Sequence, residues 1–185
     1  MNDQPHDNSR RRLLALAAGA VPLIWFGGAA LRSPATASTP GEPMAFEPLE
    51  LSQSRWREIL SEDAFRVLRK EGTERAGTSP LNEEKRAGTY ICAGCALPLF
   101  SSEHKFESGT GWPSFYRPLF DEHIETKRDF KLIWPRTEYH CARCGGHQGH
   151  VFDDGPEPTG QRWCNNGVAL DFVPEDEELP ELRTR

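Results

Sequence analysis

The chain has 185 residues, 37% of them apolar and 10% aromatic, with 22 basic against 28 acidic side chains and a formal charge of −6. That length fits one ordinary domain plus an appendage, and the aromatic share is enough for one packed core. A net negative charge excludes a general nucleic-acid binder, which needs a basic face.

The first 37 residues stand apart from this average. Ser9-Arg10-Arg11-Arg12 runs directly into an uncharged, Ala- and Gly-rich stretch from Leu13 to Leu31, followed by the small residues Ala35 and Ala37 in an A-x-A arrangement. The order basic, apolar, small is that of an export signal, and the arginines after Ser9 resemble the twin-arginine type. Leu13 stands where an aromatic is usual. The alternative is an uncleaved anchor, since about 19 apolar residues just reach across a ~30 Å hydrocarbon layer at ~1.5 Å each. Either way the expected location is exported and periplasmic, with membrane contact only if the segment is retained. Four of the 22 basic and two of the 28 acidic residues lie in 1–37, so the remainder carries 18 against 26, a formal −8.

Residues 38–50, rich in Pro, read as a linker. From Ser54 to Lys70, Trp56, Ile59, Leu60, Phe65 and Leu68 recur at helical intervals, and Ser61-Glu62-Asp63 offers a cap for a second short helix. Beyond Gly88 the runs 89–91, 130–134 and 168–172 are strand-like and bounded by Gly, Pro and Asp. The tail 174–185 is acidic and contains Pro, which predicts a frayed end. The expected fold class is mainly β, with a short helical N-terminal lead-in and a domain over 51–173.

Five cysteines carry the chemistry. Cys92-Ala-Gly-Cys95 and Cys141-Ala-Arg-Cys144 are two C-x-x-C knuckles, the second followed by Gly145 and Gly146. Two intervening residues let both sulfurs meet one ion, and four thiolates in a tetrahedron suit structural Zn²⁺ with no open coordination position. The separation from Cys95 to Cys141 exceeds that of a compact zinc ribbon, so the knuckles must clip together distant strands. Disulfides or a redox C-x-x-C are the rival reading, and His140 replacing one thiolate is a third. Cys164, in Arg162-Trp-Cys-Asn-Asn166, is left over. A buried structural cysteine is the commoner case, but an arginine and two amides are polar company for one. If strand alternation brings Arg162 to the face of Cys164, its charge favours the nucleophilic thiolate. His147-Gln-Gly-His150 places two imidazoles after the second knuckle, suited to proton transfer, metal ligation or plain surface exposure. Gly109-Thr-Gly-Trp112-Pro-Ser-Phe115 is a Gly/Pro-framed turn presenting an indole, either core or a wall for a thioether methyl group.

Together these stretches resemble methionine-R-sulfoxide reductase of the B type, over roughly residues 52–173. The resemblance implies two antiparallel sheets, a Cys₄ zinc site away from the active centre, and reduction of methionine sulfoxide in oxidised proteins through a cysteine sulfenic acid. It implies Cys164 as nucleophile, His150 as proton donor, His147 and Asn166 as orienting groups and Arg162 as stabiliser of the thiolate or substrate. Trp112, Phe115 and Phe152 would bind substrate, with Trp112 against the ε-methyl group. Many members carry a resolving cysteine where this chain has Thr110. The expectation is therefore regeneration by an external thioredoxin-like or small-thiol reductant. A zinc-ribbon binding module would have no need of Cys164, and a zinc hydrolase would need an open metal position.

Overall fold

The computed structural model describes residues 42–130 and 135–185. Its lead-in follows from capping. The Ser52 hydroxyl accepts from Arg55 N to start α1 (Gln53–Ile59), and the Ser61 hydroxyl accepts from Ala64 N to start α2 (Glu62–Lys70). Glu62 and Asp63 at the start of α2, with Arg69 and Lys70 at its end, complement the helix dipole. Ala64, Phe65, Val67 and Leu68 are buried, so the helix is fixed by its apolar face more than by propensity. The periodic stretch 54–70 thus forms two helices broken at the expected serine.

The rest is β. A three-stranded sheet runs β2 (Pro98–Ser101), β1 (Gly88–Cys92), β9 (Leu170–Pro174). A six-stranded sheet runs β3 (Lys105–Phe106), β4 (Ser114–Phe115), β8 (Arg162–Asn165), β7 (His147–Phe152), β6 (Arg136–Cys141), β5 (Ile124–Asp129). Every pairing is antiparallel. Tyr90 and Phe100 of the small sheet meet Phe115, Tyr139 and Trp163 of the large one in an aromatic core. Phe100 stacks on Phe115 at 4.3 Å between centroids, with Tyr90 edge-on to Phe115 at 4.9 Å. Truncating such a ring to Ala costs about 3–5 kcal/mol.

Three expectations change. Residues 42–50 carry no helix or strand but are not a free linker: Leu49 is buried with its N–H on Arg143 O (2.7 Å), and Met44 N donates to His123 Nε2 (3.1 Å). The C-terminal tail is not frayed. Arg183 donates from N to Cys95 O (3.1 Å) and from Nε to Gly94 O (2.8 Å), and its own carbonyl accepts from Arg143 (2.7 Å). Acidic composition suggested fraying, yet the tail is held through backbone carbonyls that composition does not record. Of the strand-like run at 130–134 only Phe130 is described, directly after β5 ends at Asp129; residues 131–134 lie outside the described residues, as does the export segment 1–37. Val168 and Ala169 form part of a 3-10 turn ahead of β9. Among the described residues no helix is long and apolar enough to cross a membrane.

Candidate active site and metal centre

Cys164 lies on β8 between the centres of its two neighbours. Its Cα partners are Ser114 on β4 and His150 on β7, and His150 is in turn opposite Glu138 on β6. Directly paired residues share a face, so Ser114, Cys164, His150 and Glu138 form one row across the sheet. Arg162 and Phe152, paired with each other two positions away, fall on that same face. Strand alternation therefore brings Arg162 beside Cys164, as the sequence suggested.

A regular strand would send His147 and His150, three apart, to opposite faces. The register of β6 against β7 prevents this. His140 opposes His147 and Tyr139 opposes Gly149, so Gln148 has no partner on β6 and is the extra residue of a bulge. Both imidazoles consequently face the same way, their centroids 5.5 Å apart. Each meets a carboxylate: His147 Nδ1 is 2.9 Å from Glu138 Oε1, and His150 Nε2 is 2.8 Å from Asp129 Oδ2. Arg136 also binds Asp129 Oδ2 at 2.7 Å, and Lys127 reaches Glu138 at 3.3 Å. Burial lowers the His150 pKa, Asp129 partly restores it, and Arg136 and His147 depress it further.

Burial likewise raises the Cys164 pKa, while Arg162, Thr110 and Ser114 pull it down through charge and hydrogen bonding. The hydroxyls are organised: Ser108 Oγ sits 2.8 Å from both Thr110 Oγ1 and Ser114 Oγ. The Arg162 guanidinium is clamped bidentately by Asp154 at 2.8 Å and lies over the Phe152 ring, 4.3 Å from its centroid. Its planar fork is thereby fixed in orientation while its charge remains.

The indole of Trp112 belongs to the turn leading into β4. Gly109 (φ 69°) and Gly111 (φ 87°) take backbone conformations that disfavour any other residue, and Gly111 O accepts from Gly77 N at 2.7 Å. Trp112 Nε1 donates to Glu74 O (3.0 Å), and Glu74 N donates to Asn166 Oδ1 (2.8 Å). The Asn166 amide is spent on this linkage and on Gln148 O (2.8 Å). Its position is thus that of a brace behind Trp112. Phe115 is not brought to this face: it pairs with Trp163 on the opposite side of the sheet, fully buried in the aromatic core, because one-residue alternation from Ser114 turns it inward.

Sequence reasoning missed Asp129, Glu138, Glu74 and the Ser108–Ser114 hydroxyls. Alternation through 137–141 was the available signal for Glu138. Nothing marked Asp129, whose histidine lies 21 positions on and is reached only through the β5–β6–β7 register.

The other four cysteines gather elsewhere, at the ends of β1 and β6, under Trp56 and Leu68 of the helices. The Sγ atoms of Cys92, Cys95, Cys141 and Cys144 all lie within 4.8 Å of one another, all buried, with Cys92–Cys144 at 3.7 Å and Cys95–Cys141 at 3.5 Å. A tetrahedral ion with ~2.3 Å metal–sulfur bonds needs sulfur separations of about 3.8 Å, so these residues fit one. His140 is not among them and instead pairs with Glu125 at 3.1 Å. Hydrogen bonding among the sulfurs pushes Cys92 well up and draws Cys95 down, and burial pushes Cys141 up. A divalent cation bound by all four sulfurs would let them ionise together.

A family model described as the SelR domain matches residues 60–174. Several curated relatives carry the name Peptide methionine sulfoxide reductase MsrB. The protein of Methanosarcina barkeri is 47% identical over 134 residues, covering 72% of this chain and 94% of the relative. Those of Pseudomonas putida (50% over 130 residues, 70% and 98% covered) and Leptospira interrogans (48% over 124, 67% and 95%) are similarly close.

Proposed function

The chain belongs to the methionine-R-sulfoxide reductase B family, and from that premise we propose how its own residues reduce the R epimer of methionine sulfoxide in the repair of oxidised proteins. The enzyme is an oxidoreductase acting on peptide methionine (R)-S-oxide. The observation that carries the mechanism is the row Ser114–Cys164–His150 with both histidines on one face.

The Cys164 thiolate attacks the sulfoxide sulfur while His150, as imidazolium, gives its proton to the departing oxygen. The attack forms an S–S bond and the oxygen, protonated a second time, leaves as water. Water then attacks the Cys164 sulfur, the S–S bond breaks as methionine leaves with its electron pair, and Cys164 remains as sulfenic acid, oxidised by two electrons as the substrate sulfur is reduced. Arg162, Thr110 and Ser114 favour the thiolate against the burial that opposes it. His147, held by Glu138, orients the oxygen, and Asp129 holds His150. Trp112 forms the wall for the ε-methyl group, with Asn166 bracing it through Glu74 and Phe152 flanking Arg162.

With Thr110 in the turn and four cysteines committed to zinc, no thiol of the chain resolves the sulfenic acid. An external thiol attacks it, releasing water and leaving a mixed disulfide, and a second thiol frees Cys164. The Cys₄ cluster holds structural Zn²⁺ and takes no part in the chemistry. The segment 1–37 is an export signal directing the domain to the periplasm, where a thioredoxin-like or small-thiol donor supplies the electrons. N-terminal sequencing of the exported protein tests that reading; an intact Met1 in the cytoplasmic fraction would count against it.

The decisive assay uses the separated sulfoxide epimers with wild type and Cys164→Ser. Turnover of the R epimer by wild type alone is expected. Equal activity in both proteins, or turnover of the S epimer only, would overturn the mechanism.

A further inference from the structure

Gln148 is the bulge residue of β7, and its position joins two centres that the mechanism treats separately. The bulge turns His147 and His150 to one face and leaves Gln148 between them with no partner on β6. Its side chain is fully buried, and Nε2 donates to Cys92 Sγ at 3.4 Å. Its backbone carbonyl accepts from both Asn166 N and Asn166 Nδ2, each at 2.8 Å, and Asn166 in turn holds Glu74 and, through it, Trp112. One residue thus touches a metal-cluster sulfur with its side chain and the brace of the indole with its backbone.

The side chain itself makes an unusual choice. Its Oε1 is buried without a hydrogen-bond partner among the described residues. An unmade hydrogen bond at a buried acceptor is a net cost, and packing alone would be served better by Met or Leu. What the amide offers in return is its donor: N–H groups aimed at a metal-bound thiolate fix the ligand's orientation and temper its charge.

We propose that Gln148 is a positioning residue that ties the four-cysteine cluster to the catalytic face, its amide anchoring the β7 bulge on Cys92 so that His147, His150 and the Asn166 brace are held in register. The proposal rests on the reductase reading and on zinc occupancy of the cluster.

The test compares wild type with Gln148→Met and Gln148→Leu, both of which fill the volume without a donor. In Co²⁺-loaded protein the sulfur-to-cobalt charge-transfer absorption should move to lower energy in both variants, because a thiolate stripped of its hydrogen bond is the better electron donor. A space-filling role would leave that band unmoved. Zinc transfer to a chelator should quicken at least about threefold, and kcat on the R epimer should fall several-fold with KM little changed. In ¹¹³Cd-loaded wild type, the Gln148 side-chain amide proton should show coupling to cadmium across the N–H···S contact, which needs no variant to fold. An unmoved cobalt band, absent cadmium coupling, or variants with wild-type kcat would overturn the proposal. Wild-type inactivity on the R epimer would instead remove the catalytic reading, with the cobalt and cadmium signals still reporting the hydrogen bond.

Discussion

Cys92 and Cys164 carry the same thiol within one small domain, and their surroundings give them opposite work. Around Cys92 are three more sulfurs, a buried amide and the apolar side chains of α1 and α2; every approach is closed. Around Cys164 are a fixed guanidinium, the hydroxyls of Thr110 and Ser114 and, opposite it on the next strand, an imidazole, and the sulfur is only partly buried. The first setting makes a negative charge tolerable only by sharing it with a cation. In the second, neutral donors and one arginine favour the charge transiently, which is what a nucleophile needs. Secondary structure does not separate the two, since both sit on strands. The separation comes from what faces each sulfur.

The sharpest way to break this comparison is to exchange the roles. With the proposed zinc in the cluster, replacing Cys141 by Ser should collapse the cluster and with it the fold, since structural zinc supplies on the order of 10 kcal/mol of apparent folding free energy. Circular dichroism together with metal analysis checks this, and a folded, zinc-free variant would refute it. Cys164→Ser should do the reverse, lowering R-epimer reduction at least ~10³-fold while zinc stays bound. Metal content and turnover measured on one preparation decide whether the two cysteine classes are as independent as their surroundings indicate.

The pH profile sharpens the catalytic half. In the proposed mechanism turnover needs thiolate at Cys164 and imidazolium at His150, yet burial moves the first pKa up and the second down. Below the His150 pKa, kcat/KM rises with pH as thiolate forms. Between the two values the gain in thiolate and the loss of imidazolium cancel, giving a broad plateau; above the Cys164 pKa the rate falls. Asp129 raises the His150 pKa, so Asp129→Asn should shift the acid limb to lower pH and lower the plateau by roughly 10-fold or more. An acid limb that stays in place would show that Asp129 does not govern the proton donor. The smallest effect expected is at the tail. Arg183→Ala removes one side-chain bond to the first knuckle and should lower Tm by about 3 °C, corresponding to ~1 kcal/mol, in a thermal melt of the zinc-loaded protein.

Much of this fold and site is legible in the amino-acid sequence. The two helices are marked by Ser61 and an apolar period, the knuckles by spacing, and the Trp112 turn by its framing glycines, both of which take positive φ. What is not legible depends on register. The sheet face of Phe115 is set by its pairing with Trp163, and the partners of both histidines are set by a bulge that no local pattern announces. The tail escapes for a different reason. Arg183 binds main-chain carbonyls, and main-chain acceptors have no letter in the sequence.

The placement of the knuckles has a consequence for the unfolded chain. Cys95 and Cys141 are 46 positions apart, and a link between them closes a loop that holds β2 through β6. On a chain-entropy account, closing a loop of that length removes about 4 kcal/mol of freedom from the denatured ensemble, whatever the chemistry of the link. Part of the stability that the proposed metal brings is therefore topological rather than coordinative. Sulfurs already within 3.5–3.7 Å across the knuckles are placed to keep that part as a disulfide should the ion be stripped under oxidising conditions. Oxidation of the cluster would then relax the domain toward a looser, still cross-linked state rather than release it as an open chain.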